Sequence, residues 1–299
     1  GGAITAYGGL LLVALLWVLR TGWLWWLLAY TWRTAFPGEG LRSDPAFLRA
    51  LLGGVAAGLA VMAGLVFYRR TVYATHAVNY FAKQNLLFNS FSTSGFYGVS
   101  NLLENLLTAD YKMFMNLFIS LPYLFLPRNL NTFMVCYGLT CFVPMWTALL
   151  MLARKAAVAF PGVRRGWYYA ACMAAMVLWP MFLWPATHGL PDAFGLTFAA
   201  VILLLGADLR FETLPPARLL ALFAATFALI LTRRWYMFWV LAFYLCYAAA
   251  LLLRAARRGV FGRVLANLLK FGIPSVVLTV AALLPAFRTS LTTDYADIY

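Results

Sequence analysis

Nine apolar runs separated by short polar connections make up most of this 299-residue chain. They cover residues 9–31, 47–68, 113–126, 130–153, 167–185, 190–207, 217–231, 235–253 and 265–286. A helix that crosses a bilayer needs about 20 apolar residues, and most of the runs meet that demand once tilt is allowed. The run 113–126 is the short one, and it closes on Leu126-Pro127-Arg128-Asn129. It reads as a short span, a re-entrant helix or a helix lying in the interface. The runs are too long and too continuous for the alternating strands of an outer-membrane barrel. The pattern therefore predicts an all-α integral membrane protein. It is a bundle of about eight or nine transmembrane helices forming a single transmembrane domain over residues 1–299.

One connection breaks the pattern. Residues 69–112, between the second and third runs, are polar and aromatic, rich in Asn, Ser, Tyr and Phe, and carry His76, Glu104 and Asp110. Helices in a bundle are joined by a few residues where nothing else is asked of the connection, and long loops on a rigid scaffold are where binding and catalysis concentrate. The stretch Asn101–Leu107 has an amphipathic pattern and predicts a helix along the membrane surface. The loop is thus expected to be partly helical and to lie outside the cytoplasm.

Composition agrees with the membrane assignment. Hydrophobic residues are 64% of the chain and charged residues 11%, against about 25% charged in soluble domains. The mean hydropathy is +0.82. The net charge of +14 is not a nucleic-acid footprint, because the cations cluster in short connections, as the positive-inside bias requires. Arg154, Lys155, Arg164 and Arg165 fall in one such connection, and Arg254, Arg257, Arg258 and Arg263 in another. Both are read as cytoplasmic, with Arg210 and Arg218 between them. The links near 186–189 and 232–234 then face outward. The loop 69–112 faces outward if 113–126 does not cross, and Arg33–Arg49 is then cytoplasmic. The four cysteines, Cys136, Cys141, Cys172 and Cys246, all sit in apolar runs without metal-ligand spacing and read as small buried hydrophobes. The chain has no initiator Met and reads as a piece of a longer protein.

The polar residues at the ends of the runs are the candidates for chemistry. Asp110, in Thr-Ala-Asp-Tyr-Lys, stands at the entrance to an apolar run. It is either a helix cap or a general base or metal ligand. Glu104 is either part of a solvated face or a second acid. His76 and Asn79 are spaced for one helical turn, suited to structural hydrogen bonds or to a phosphate. Asp192 opens a span directly after a His188-Gly189 turn. It is favoured there by the helix dipole and, as an acid at a membrane bundle, is also a functional candidate. Arg233 and Arg234 interrupt two apolar runs on the side where cations are not expected. Their forked donors suit phosphate, although snorkelling to the interface would also explain them. Trp235, Tyr236 and Trp239 follow them as an interfacial belt or a sugar-stacking wall.

Taken in order, these features are a long polar first loop, Asp110-Tyr-Lys entering an apolar run that contains Pro122, Pro127-Arg128-Asn129 before a long span, Gly189-Leu-Pro-Asp-Ala-Phe-Gly-Leu196, and Arg233-Arg-Trp-Tyr236. The arrangement resembles the GT-C superfamily of polytopic glycosyltransferases, which includes protein O-mannosyltransferases and aminoarabinose transferases. The resemblance covers about residues 50–290. It implies transfer of a sugar from a polyprenyl-phosphate-linked donor on the outer face of a membrane, expected here to be a bacterial cytoplasmic membrane. It also implies a catalytic carboxylate in the first outer loop. Members often carry that acid directly after a span. Here that place reads Arg69-Arg-Thr-Val-Tyr-Ala-Thr-His76 and holds none, so the resemblance points to Asp110 as the catalytic acid, with Glu104 next. His76, Asn79, Asp192, Arg233, Arg234 and Tyr236 are the expected substrate-binding residues. A divalent metal ion, with Asp110 as a ligand, is an alternative holder of the phosphate. Membrane lipids and the donor are the expected partners. Two other classes fit the same chain: a transporter or lipid flippase, and a non-catalytic scaffold of a polymer-assembly system. Geometry separates them. A transferase gathers its acids and arginines around one outward cavity, whereas a transporter places polar residues at mid-membrane depth.

Overall fold

The computed structural model describes residues 2–68, 75–107, 125–179, 192–207, 215–232 and 236–292. Every regular element among them is helical. We label the helices α1 (Gly2–Ala35), α2 (Pro45–Tyr68), α3 (Thr75–Thr93), α4 (Gly95–Leu107), α5 (Leu130–Tyr137), α6 (Val143–Ala156), α7 (Arg165–Leu178), α8 (Asp192–Ala207), α9 (Pro216–Thr232), α10 (Tyr236–Arg257) and α11 (Phe261–Thr292). One π-helical turn, Gly138–Phe142, joins α5 to α6. Pro144 follows it. A proline cannot donate to the helical ladder, and a single π turn is a common local adjustment of that ladder.

Among the described residues, four helical stretches are long and apolar enough to cross a membrane: Tyr7–Ala35, Pro45–Tyr68, Leu130–Ala159 and Tyr236–Arg257. Asp192–Ala207 and Pro216–Thr232 are apolar but shorter. The expected run 113–126 lies outside the described residues except for its last two positions. Those belong to the turn ahead of α5, where Asn129 caps the helix by accepting from the Thr132 amide at 2.8 Å.

The pairing of helices follows from where bulky and small residues meet. Gly58 of α2 leaves room for the Trp146 ring of α6, and Gly138 leaves room for Met62. The register Gly58–Trp146 and Met62–Gly138 makes α2 antiparallel to the α5–α6 rod. Ala46 lies against Gly166 and Gly54 against Met173, so α2 and α7 run parallel. Small residues at such contacts let helices approach where apolar burial alone gives no preference over lipid. A connected core runs through α1, α2, α6, α8 and α9, with Phe47, Phe142, Phe194 and Phe198 fully buried.

The described part of the segment between α2 and α5 forms two helices. α3 and α4 pair with each other and with α1. Gly9 abuts the Phe91 carbonyl and Val13 packs with Leu87 and Phe91, so α3 is antiparallel to α1. With 34 residues, α1 is about 51 Å long, well beyond the ~30 Å hydrocarbon thickness. Its N-terminal half carries the α3–α4 pair. Asn101 of α4 donates to Ser90 of α3 at 2.7 Å, and Arg128 donates to Asn89 at 3.0 Å while covering the Phe88 ring. α11 also lies against α4.

The opposite end of α1 is held by charge. Asp44 precedes Pro45 and caps α2, accepting from the Phe47 amide at 3.0 Å. Aspartate before a first-turn proline is a strong helix-start signal. The same carboxylate pairs with Arg154 Nε at 3.2 Å and accepts from the Tyr169 hydroxyl at 3.2 Å. Arg154 also pairs with Glu39, and its guanidinium lies among the rings of Trp32, Phe36 and Phe47. Lys155 donates to the Ala35 carbonyl at the end of α1. Two connections that charge counting assigned to one side, 33–49 and 154–165, are therefore in direct contact.

Candidate functional site

Two of the motifs meet at the start of α8. Asp192 is its first residue and Tyr236 the first residue of α10. The Tyr236 hydroxyl donates to Asp192 Oδ1 at 3.1 Å. The Tyr236 ring lies over Gly195, where an added Cβ would overlap the ring Cζ and the hydroxyl oxygen. Both residues are half-buried. The carboxylate also sits at the positive end of the α8 dipole.

The contact is one end of a longer fit. α8 carries Gly195 and Gly206, and α10 carries Tyr236 and Tyr247, both pairs eleven residues apart. Eleven residues is close to three full helical turns, so each pair lies on one face. Gly206 receives Phe243 and Tyr247 in ordinary contact, and the Tyr247 hydroxyl donates to the Gly206 carbonyl. The two tyrosines thus bond polar atoms near the start and the end of α8, and the helices run parallel. Trp239, Phe243 and Tyr247 stack along α10, with ring centroids 5.4 and 5.6 Å apart. Tyr244 bonds Thr226 of α9 at 2.7 Å.

The other expected residues are dispersed or undescribed. Glu104 is on the exposed side of α4, and His76 and Asn79 occupy the first turns of α3. Asp110, Arg233 and Arg234 lie outside the described residues, the two arginines separated from Tyr236 by Trp235 in sequence. Among the described residues no three His, Cys, Asp or Glu side chains come together.

Sequence reasoning passed over one residue. Arg20 stands in the middle of α1, in a run otherwise free of charge, and its guanidinium nitrogens are buried. The Cys141 thiol of the π turn is within electrostatic reach of it. The α1–α3 register carries Tyr80 and Gln84, both buried, to the level of Arg20. Beside this cluster a cavity of about 550 Å³ opens between α1 and the π turn, lined by Trp17, Thr21, Trp25, Phe125, Leu139, Thr140 and Pro144 among others. None of the expected site residues lines it. The signal in the sequence was a single cation within an apolar run, which marks a function-bearing position in a bundle interior.

No protein-family model, curated protein or solved structure matches this chain.

Proposed function

We propose that this chain is a membrane glycosyltransferase that moves a sugar from a polyprenyl-phosphate-linked donor to an acceptor on the extracytoplasmic face. The observation that carries the proposal is the 3.1 Å bond from Tyr236 to Asp192. It joins Gly-Leu-Pro-Asp-Ala-Phe-Gly-Leu to Arg-Arg-Trp-Tyr, two of the motifs on which the resemblance to GT-C transferases rests. A carboxylate held beside aromatic rings is suited to the hydroxyls and apolar face of a sugar. Arg233 and Arg234, which precede Trp235 and Tyr236 in sequence, would bring forked donors to the lipid phosphate.

In this proposal the bundle has eight or nine spans, the basic turns face the cytoplasm, and the α3–α4 pair caps the outer side of a bacterial cytoplasmic membrane. The contact of 33–49 with 154–165 supports that orientation, since both turns are cation-rich. The acceptor hydroxyl attacks the anomeric carbon as the bond to the phosphate oxygen breaks. Asp110, or Glu104 in its place, takes the hydroxyl proton. Arg233, Arg234 and His76 stabilise the charge that grows on the leaving phosphate, and Asn79 and Asp192 hold the sugar. The test is transfer of a labelled sugar by the purified chain from polyprenyl-phosphate donors, screened over several sugars. No transfer from any donor overturns the proposal.

A second reading draws on Arg20. A cation buried in the middle of a long apolar helix is what a carrier of a lipid or an anionic solute would need. Uptake or flipping of anionic lipids in proteoliposomes, with no sugar transfer, would favour it.

A further inference from the structure

We propose that Gly195 and Tyr236 are positioning residues for the Asp192 carboxylate, and that residue 195 must be glycine because the Tyr236 ring occupies the volume of its side chain. The inference deepens the transferase proposal and rests on it for the role of Asp192. The geometry itself does not depend on that role.

Three observations carry it. The three heavy atoms nearest a Cβ at Gly195 all belong to the far end of one side chain, the Tyr236 Cζ, hydroxyl oxygen and Cε2. The obstacle is therefore a movable ring and not backbone, and a methyl group there displaces the ring. The ring's hydroxyl is the atom that bonds Asp192 Oδ1, so displacing the ring withdraws the donor. At the far end of the same helix pair, Gly206 meets Phe243 and Tyr247 at ordinary contact distances of 3.5 Å and more. Helix packing alone accounts for the contact at Gly206. The overlap at Gly195 is specific to the carboxylate end. Glycine costs about 1 kcal/mol relative to alanine in a helix, so a position that holds one inside α8 is explained by what it admits.

The chemical consequence is orientation. A carboxylate at a helix start can swing between capping its own helix and facing outward. A hydroxyl donated from α10 to Oδ1 selects one rotamer, as a site for sugar hydroxyls requires. Orientation of this kind affects turnover when the groups it orients act in the transition state.

The test uses the purified full chain in detergent micelles with Gly195→Ala, Tyr236→Phe, Tyr236→Ala and the double variant Gly195→Ala/Tyr236→Ala. Asp192 is labelled with a water-soluble carbodiimide and an amine, and the rate is read from its peptide by mass spectrometry. Loss of one hydrogen bond corresponds to about three- to tenfold, so labelling should rise by that factor in Gly195→Ala and in Tyr236→Phe. Gly195→Ala should add nothing once the ring is gone, in the Tyr236→Ala background. In the transfer assay the same two single variants should lower kcat more than they raise KM for the donor. Unchanged labelling in Tyr236→Phe overturns the inference, as does a Gly195→Ala effect that persists without the ring. So does a pair that only lowers the thermal midpoint, with labelling and kcat unmoved. Should Gly195→Ala fail to fold, Tyr236→Phe, which adds no atom, decides the matter. A coupled labelling response without sugar transfer by the parent chain would sink the transferase proposal and leave the positioning unit standing.

Discussion

Removal of Asp44 should unfold this protein far more readily than removal of Glu39, although both pair with Arg154. The difference follows from burial. The side chains of Arg154 and Asp44 are 6% and 9% exposed, whereas Glu39 is 52% exposed. Loss of one partner of a buried ion pair costs about 3–5 kcal/mol, because it strands a charge. Asp44→Ala also removes the α2 cap, worth about 1 kcal/mol, and the acceptor for the Tyr169 hydroxyl. These terms share one carboxylate and do not simply add, so the expected loss is about 3–5 kcal/mol. Glu39→Gln breaks a solvent-screened pair and should cost less than about 1 kcal/mol. Arg154→Met in the Asp44→Ala background removes the stranded cation and leaves an apolar chain among Trp32, Phe36 and Phe47. That double variant should be more stable than Asp44→Ala alone and fall short of the parent by about the cap's contribution. Denaturant-induced unfolding in micelles, followed by circular dichroism, measures all four proteins. Equal losses for Asp44→Ala and Glu39→Gln would refute the reasoning, and so would a double variant no more stable than Asp44→Ala.

Three further outcomes test the proposed function. A single cysteine at Ser94, in a background without the native cysteines, should react with an impermeant thiol reagent in intact cells; labelling only after lysis places the α3–α4 pair in the cytoplasm. Asp110→Asn should lower transfer by at least about a hundredfold in a folded protein, the usual scale for a general base, and near-normal turnover would pass that role to Glu104. Arg233→Gln and Arg234→Gln should each weaken binding of the donor lipid and lower turnover, with only partial rescue by Lys; unchanged affinity and turnover in both would make them interfacial anchors.

The long helices were legible because hydrophobic length sets them. The run 47–68 became Pro45–Tyr68, and 235–253 became Tyr236–Arg257. The departures have tertiary causes. The run 9–31 became a helix from Gly2 to Ala35. No local pattern in residues 2–8 announces that extension, and α3 and α4 meet α1 at Gly9 and Val13, beyond it. α3 is polar along much of its length, and its buried stripe of Tyr80, Gln84, Phe88 and Phe91 has helical spacing that its Asn and Ser content obscures. Arg154 was counted only as a topology signal. Its burial depends on Asp44, more than a hundred residues earlier, and no periodicity links the two. Asp44-Pro45 did carry a readable helix start.

The site shows the same division between what one segment encodes and what two segments encode together. Asp192 was singled out because an acid at the start of an apolar run is unusual within that run. Tyr236 was singled out by the arginines beside it. Their contact required knowing that α8 and α10 run parallel, at a register that superimposes two spacings of eleven residues. Either spacing alone is unremarked among many glycines and tyrosines. Together they let one ring pack over Gly195 and another over Gly206. The hydroxyls carried by those rings bond a carboxylate near one end of α8 and a carbonyl near the other. The carbonyl belongs to the last turn of α8, where backbone acceptors lack helical donors, so Tyr247 is accounted for by satisfying the helix end. Asp192 needs no such donor. A carboxylate at a helix start already lies at the positive end of the helix dipole. A tyrosine spent on a group that folding does not require it to satisfy is better accounted for by orientation of that group, which is why Asp192, and not the stacked rings beside it, is the place to probe for chemistry.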